Sequence, residues 1–428
     1  MTGKSTNKRW LVFLILAAAS FVSYVLRANI SIAAPAMMEE LGLNEIQWGW
    51  ILAAFSIGYG IFQIPGGVLG DKAGPRKALT IIAVLWGILM ILTVAVPGPD
   101  VASTGVIIGS LIAVRFLVGA VHAPIYPVMN TAISRWFPVG GWALPLGLSS
   151  TALTLGFAAT APVLAWMIVG FGWRVSFLVL APLGFIVAGI WWWYARDFPG
   201  DHPTTNDAEV ALINANRPAL VEIPAHPPGW IRILKNRNML LLTLSYTCSN
   251  FVFGQVFGWF YYYLVEVRGF SPTDAGWVTA SQWMAGGAGA ALGGWLCDRL
   301  CKKLGIRWGC RWPIIIALIG CSVLLVAGAY HTNPIIAVTF LALCFFFHQI
   351  TEGAYWAASI AIGNQLAGVA GGVLNTGANM MTVASVLLVP WFAQHFGWQF
   401  AIASGAIFAM IAVVLMLFVR TDEIMKLN

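Results

Sequence analysis

Apolar runs of about 20 residues recur from Trp10 almost to the C-terminal end, and charge is confined nearly entirely to the short segments between them. Coiled into an α-helix, one such run rises about 30 Å, the thickness of a bilayer's hydrocarbon core. Soluble domains carry about a quarter of their residues as charges. Here the charged fraction is 9%, the apolar fraction 59% and the mean hydropathy +0.82. The chain therefore reads as an integral membrane protein. The formal net charge of +7 points to a lipid environment and not to nucleic acid, because Lys and Arg collect in cytoplasmic loops beside anionic head groups. Six cysteines lie in the second half without a CxxC pair, so no disulfide framework, zinc site or other metal or cofactor is expected.

Twelve runs begin near Trp10, Ile46, Ala78, Thr104, Trp142, Trp173, Met239, Gly276, Trp312, Pro334, Ala367 and Trp398. The first follows Lys4, Lys8 and Arg9, is too long for a secretory signal, and is expected to stay as the first helix. With both termini inside, the inner segments carry Lys72, Arg76, Lys77, Arg135, Arg196 and the cluster from Arg299 to Arg311. The outer ones keep only Arg174 and Arg268. That asymmetry orients the chain in a cell (inner) membrane with cytoplasmic termini. A polar stretch, 195–238, contains Asp197, Asp201, Asp207, Glu209 and Glu222 and reads as a cytoplasmic linker. Gly67-Val-Leu-Gly-Asp71 is echoed by Gly294-Trp-Leu-Cys-Asp298, each followed by basic residues. The fold expected is an all-α membrane protein of twelve transmembrane helices in two pseudo-symmetric six-helix bundles, 1–194 and 239–428, as a monomer.

The stretch from Gly67 to Lys77 resembles the signature loop between helices two and three of the major facilitator superfamily. Tyr24-Val-Leu-Arg27-Ala-Asn29-Ile-Ser31, Arg115-Phe-Leu-Val-Gly119 continuing to Pro127, Trp136-Phe137-Pro138 and Gly371-Gly-Val-Leu-Asn375-Thr-Gly-Ala-Asn379 are similar to the anion:cation symporters of that superfamily. These include sugar-acid transporters and vesicular glutamate and sialic acid transporters. The resemblance implies a major facilitator fold, an anionic substrate, and roles for Arg27 and Arg115 in substrate recognition or gating. It also shows two departures. Many members carry a carboxylate before the helix 1 arginine and another seven residues after the helix 4 arginine, where this chain has Leu26 and His122. Both positions are associated with proton coupling.

A charge in hydrocarbon costs about 2.5–3.5 kcal/mol at a helix centre, so the few placed there need a reason. They are Arg27 in span one, Arg115 and His122 in span four, and His348 and Glu352 in span ten, each on the first helix of a three-helix unit. Arginine presents a fixed fork of donors suited to a carboxylate; its alternatives are backbone carbonyls or snorkelling. His122 follows Arg115 by two turns and should share its cavity, either titrating or as a neutral hydrogen-bonded group. His348 and Glu352, spaced i, i+4, can touch. Glu352 is either a proton carrier or a counter-ion.

Tyr24, Tyr59, Tyr355 and Trp356 are candidate cavity walls, and the resemblance places Tyr24 and Tyr59 at substrate-contacting positions. Ser359, Asn375 and Asn379 supply hydrogen-bonding capacity, or bond helix to helix. Asp71 and Arg76, with Asp298 and Arg299, are expected to gate: an Asp at a helix end can meet arginine and the positive N-terminus of another helix. No HExxH, GxSxG or Walker loop is present, so no enzyme is expected. The function expected is secondary transport of a small organic anion, such as a sugar acid or aromatic acid, by alternating access, with proton coupling and uncoupled facilitation both open. The aromatic content keeps a drug or lipid exporter of the same fold as the alternative.

Overall fold

The computed structural model describes residues 4–215 and 231–422, and the middle of the expected linker, 216–230, lies outside them. Among the described residues all regular structure is helical. The first part holds α1 (Lys8–Leu41), α2 (Glu45–Ala73), α3 (Pro75–Val94), α4 (Thr104–His122), α5 (Ile125–Trp136) and α6 (Ala143–Tyr194). Two short helices follow, α7 (Asp207–Asn214) and α8 (Ile231–Lys235). The second part holds α9 (Arg237–Tyr262), α10 (Pro272–Tyr330), α11 (Pro334–Gly363), α12 (Ala367–Phe396) and α13 (Trp398–Phe418). Ten helical segments are long and apolar enough to cross a membrane. Helices suit hydrocarbon because each satisfies its own backbone donors and acceptors. The outer surface agrees with that medium: Trp166, Val169, Trp193 and Leu387 are each at least two-thirds exposed, an apolar coat unsuited to water.

Local chemistry sets the helix ends. α1 stops at Gly42 (φ 64°), whose neighbour Leu43 returns its amide to Met38 O at 2.9 Å. Asn44 and Gln47 form a reciprocal capping box at the start of α2, both bonds 2.9 Å. Four sharp reversals share one device. Gly74, Gly172, Gly305 and Gly397 have φ of 82°, 76°, 79° and 85° and ψ of 150°, 164°, 163° and 160°. A side chain would strain each of them, and each turns the chain back after a single residue. The turn at Gly305 corrects one sequence boundary: helix resumes there and not at Trp312, so Arg307 and Arg311 are helical. Arg311 bonds the carbonyl of Val419 and Arg307 pairs with Asp422 at 3.5 Å.

Within the first part α1 and α3 pack on α6, and α2 on α4; within the second, α9 packs on α12 and α13, and α10 on α11 and α13. The broadest contacts between the two parts are α6 with α10 and α2 with α12. The segment after α6 folds back onto the start of the chain. Glu209 of α7 accepts from the amides of Lys8 (2.9 Å) and Arg9 (3.0 Å), from the Arg9 guanidinium (3.1 Å) and from Thr6 Oγ1.

Candidate functional site

A cavity of about 110 Å³, the cleft, lies between the two parts of the chain. α1 contributes Tyr24 and Arg27, α2 Tyr59, α5 Tyr126, α9 Tyr246 and Asn250, α10 Trp283, α11 Gln349, Glu352 and Trp356, and α12 Asn375 and Asn379. Among these lining residues Arg27 is the only cation and Glu352 the only acid.

Arg27 forms no ion pair among the described residues. Its Nη1 donates to Tyr24 Oη at 3.2 Å, and its guanidinium lies over the rings of Tyr24 (5.3 Å), Phe55 (4.9 Å) and Tyr59 (4.9 Å). Aromatic faces stabilise a cation without neutralising it. The Tyr24 and Tyr59 hydroxyls and the three rings that Arg27 meets are all uncharged, so its charge is left for an anion. Across the cleft, Tyr246 Oη donates to Glu352 Oε2 at 2.9 Å. Asn375 Nδ2 donates to Gln63 Oε1 at 3.1 Å, and Asn379 Nδ2 to Asn375 O at 2.8 Å. A second opening, about 540 Å³, reaches Arg27 and Asn379 between α2 and α12.

Five of the expected residues lie elsewhere. Arg115 and His122 share a face, as their spacing requires, but both are 3% exposed and neither lines the cleft. Phe55 joins Arg115 to Arg27, since the Arg115 guanidinium also sits over that ring, at 5.1 Å. His122 stacks on Trp86 at 5.2 Å with Nδ1 at 2.9 Å from Val118 O. Among the described residues, Arg115 Nε, His122 Nε2, Trp86 Nε1 and Asn29 Oδ1 meet no hydrogen-bond partner. His348 and Glu352 do not pair. His348 Nε2 meets Ser249 O at 3.0 Å and Nδ1 meets Gln349 Oε1 at 3.2 Å, whereas Glu352 meets Tyr246, so separate partners on α9 take the two side chains. Tyr355 turns away from the cleft to Ser245 Oγ at 2.7 Å. Ser359, fully buried, accepts from Asn130 Nδ2 at 3.1 Å and so bonds α11 to α5.

The repeated motif meets the two helix N-termini that face it. Asp71 Oδ1 accepts from Gly368 N (3.0 Å) and Thr131 Oγ1 (2.7 Å), and Oδ2 from Val369 N (3.0 Å), at the start of α12. Asp298 accepts from Ala143 N (2.8 Å) and Leu144 N (3.0 Å), at the start of α6. Each motif's first glycine stands beside the same junction: a Cβ on Gly67 would fall 2.3 Å from Gly368 O, and one on Gly294 2.4 Å from Ala143 O. The motif arginines stay on their own sides. Arg76 donates to Trp192 O and stacks on that indole at 4.3 Å, while Arg299 is exposed over Trp295 at 5.3 Å.

The sequence reading missed Tyr126, Tyr246, Asn250 and Gln349 because it searched membrane segments for charge. Tyr246 and Asn250, four apart on the first helix after the linker, were the available signal. Beyond Arg237 at its start, that helix carries only uncharged polar groups.

The sequence profile of the Major Facilitator Superfamily matches residues 16–306 and 271–427. The chain belongs to the Major Facilitator Superfamily. It is 29% identical to the probable sulfoacetate transporter SauU of Cupriavidus necator over 91% of this chain and 88% of that protein. It is equally 29% identical to the hexuronate transporter of Bacillus subtilis, over 94% of this chain and 93% of that one. The solved structure of the proton:xylose symporter XylE superimposes with a TM-score of 0.74 at 15% identity, covering 96% of each chain. This superfamily member is a multi-pass integral membrane transporter and not an enzyme.

Proposed function

We propose that this transporter is a secondary carrier of a small organic anion, a carboxylate such as a sugar acid, by alternating access. One observation carries the reading: Arg27 is a cation on the wall of a polar and aromatic cleft with no ion pair among the described residues. Relatives named for sulfoacetate and hexuronate transport support an acidic substrate. The carboxylate would take the open side of the Arg27 fork, and Asn375 and Asn379 would meet hydroxyl groups. An exporter of apolar drugs or lipids would leave that charge uncompensated.

Two of the ten apolar segments, Trp277–Tyr330 and Pro334–Phe396, are each long enough for two crossings, which makes twelve in all. They would form six-helix bundles before and after the linker 195–238. The Asp71 and Asp298 caps would close the basic end, which positive-inside bias makes cytoplasmic, while the cleft stays open to the other side. Glu352, the lone acid of the cleft, would carry the coupling proton, since the helix 1 and helix 4 positions hold Leu26 and His122.

Uptake of labelled sugar acids, aromatic acids and dicarboxylates into proteoliposomes tests the reading. Arg27→Ala is expected to weaken substrate binding by about two to three orders of magnitude, equivalent to about 3–4 kcal/mol. Arg27→Lys should restore little, because an ammonium cannot reproduce the fork. Undiminished anion uptake by Arg27→Ala would overturn the proposal.

A further inference from the structure

Three cysteines take no part in the cleft. Cys297 and Cys301 stand one turn apart on α10 before the Gly305 reversal, and Cys310 follows on the returning limb. They are 0%, 8% and 0% exposed. Their sulfurs form a nearly equilateral triangle, with Cys297–Cys301 at 3.9 Å and the other two edges at 3.8 Å. The point in that plane equidistant from all three lies about 2.2 Å from each sulfur, close to a thiolate–metal bond of about 2.3 Å. Backbone geometry builds the approach. A Cβ on Gly309 would fall 2.4 Å from Cys301 Cα and N and 2.5 Å from its Sγ. Glycine there lets the two limbs close until Cys310 reaches the pair.

We propose that Cys297, Cys301 and Cys310 bind a soft, thiophilic metal ion as a three-thiolate site. Among the described residues no fourth His, Cys, Asp or Glu ligand joins the cluster. Closed structural zinc sites use four ligands, whereas soft thiolates select Cu(I), an ion that three sulfurs can satisfy. Each thiol that ligates releases its proton to solvent. Cu(I) with three thiolates leaves a net charge of −2, which Arg299, Lys302, Lys303, Arg307 and Arg311 on the adjoining turns offset. Sequence alone could not show the site, because its ligands come from two limbs and lack the CxxC spacing.

The test uses reduced, full-length protein in detergent, with Cu(I) presented on a chromophoric chelator. One Cu(I) per chain is expected for the wild type and for Cys321→Ser/Cys344→Ser, and none for Cys301→Ser/Cys310→Ser. The double variant at 321 and 344 removes the other close thiol pair, at 3.4 Å. X-ray absorption on the loaded wild type, which needs no variant to fold, should give three sulfur neighbours at about 2.2–2.3 Å. No copper uptake, uptake that survives in Cys301→Ser/Cys310→Ser, uptake lost in Cys321→Ser/Cys344→Ser, or a shell without three sulfurs would each overturn the proposal.

Discussion

Arg27 and Arg115 are the same residue type over one ring, yet only one faces the cleft, because the helix that carries each fixes which side of Phe55 its chemistry serves. Their presence in the membrane was legible from sequence; their division was not, since it depends on a ring from α2. On the proposed reading Glu352→Gln keeps substrate exchange, because glutamine can still accept the Tyr246 hydroxyl, but loses accumulation driven by an inward proton gradient. Proteoliposome counterflow and gradient-driven uptake, measured on one preparation, separate the two. Unaltered proton-driven accumulation would remove Glu352 from the mechanism. Glu209 makes a different kind of residue prediction. Burial penalises its charge, but the Thr6 hydroxyl, the Arg9 and Lys8 amides and the Arg9 guanidinium outweigh that and hold its pKa below the usual carboxylate value. A carboxylate with a lowered folded pKa stabilises the clamp above its unfolded value, about 4.3, and that contribution disappears as pH falls through the folded pKa. Proteolysis near residue 8 should therefore stay slow at neutral pH and quicken in acid, and Glu209→Ala should be fast at both.

At the scale of elements, the two copies of one motif do one job with different partners. Asp71 caps α12 and Asp298 caps α6, and each motif's leading glycine allows the contact. The repeat and a helix-terminus role could be read from Gly67–Asp71 and Gly294–Asp298. Which helix each Asp caps could not, because the partners lie far away in sequence. A further repeat was in plain view at the reversals: Phe171-Gly172-Trp173-Arg174 matches Phe396-Gly397-Trp398-Gln399, and Gly74 and Gly305 take the same backbone shape. Its meaning lies in φ, which composition does not display. Removing a capping carboxylate costs about 1–2 kcal/mol, a factor of about 5–30 in a two-state equilibrium. On the proposed closure, Asp71→Ala and Asp298→Ala should thus raise, by that factor, the alkylation rate of a cysteine placed at Ser359, which is fully buried next to Asn130 at the start of α12. The measurement belongs in a background without native cysteines. An unchanged rate in both variants would mean that these caps do not hold the end shut.

For the whole molecule, orientation rests on two independent arguments that meet. Charge asymmetry gathers basic residues at one end of the helices, and the chain itself ties its termini to that end. Thr6, Lys8 and Arg9 clasp Glu209 of α7, the amide of Arg420 donates to Asn238 Oδ1 at 3.0 Å, and Asp422 pairs with Arg307. Residues 6–9 therefore share a face with α7, and residues 420–422 share one with the start of α9, which fits an even number of crossings within each part. On the proposed orientation, positive-inside bias would make these faces cytoplasmic. The opposite face carries the α3–α4 connection, where Val101 is 84% exposed. In intact cells expressing a variant without native cysteines, Val101→Cys should react with a membrane-impermeant maleimide, and Asp207→Cys should react only after the membrane is opened. Reaction at 207 in sealed cells, with none at 101, would reverse the orientation while leaving the termini together. Reaction at both in sealed cells would contradict the crossing count itself, because three apolar spans, Thr104–Trp136, Ala143–Thr160 and Trp166–Tyr194, lie between residues 101 and 207.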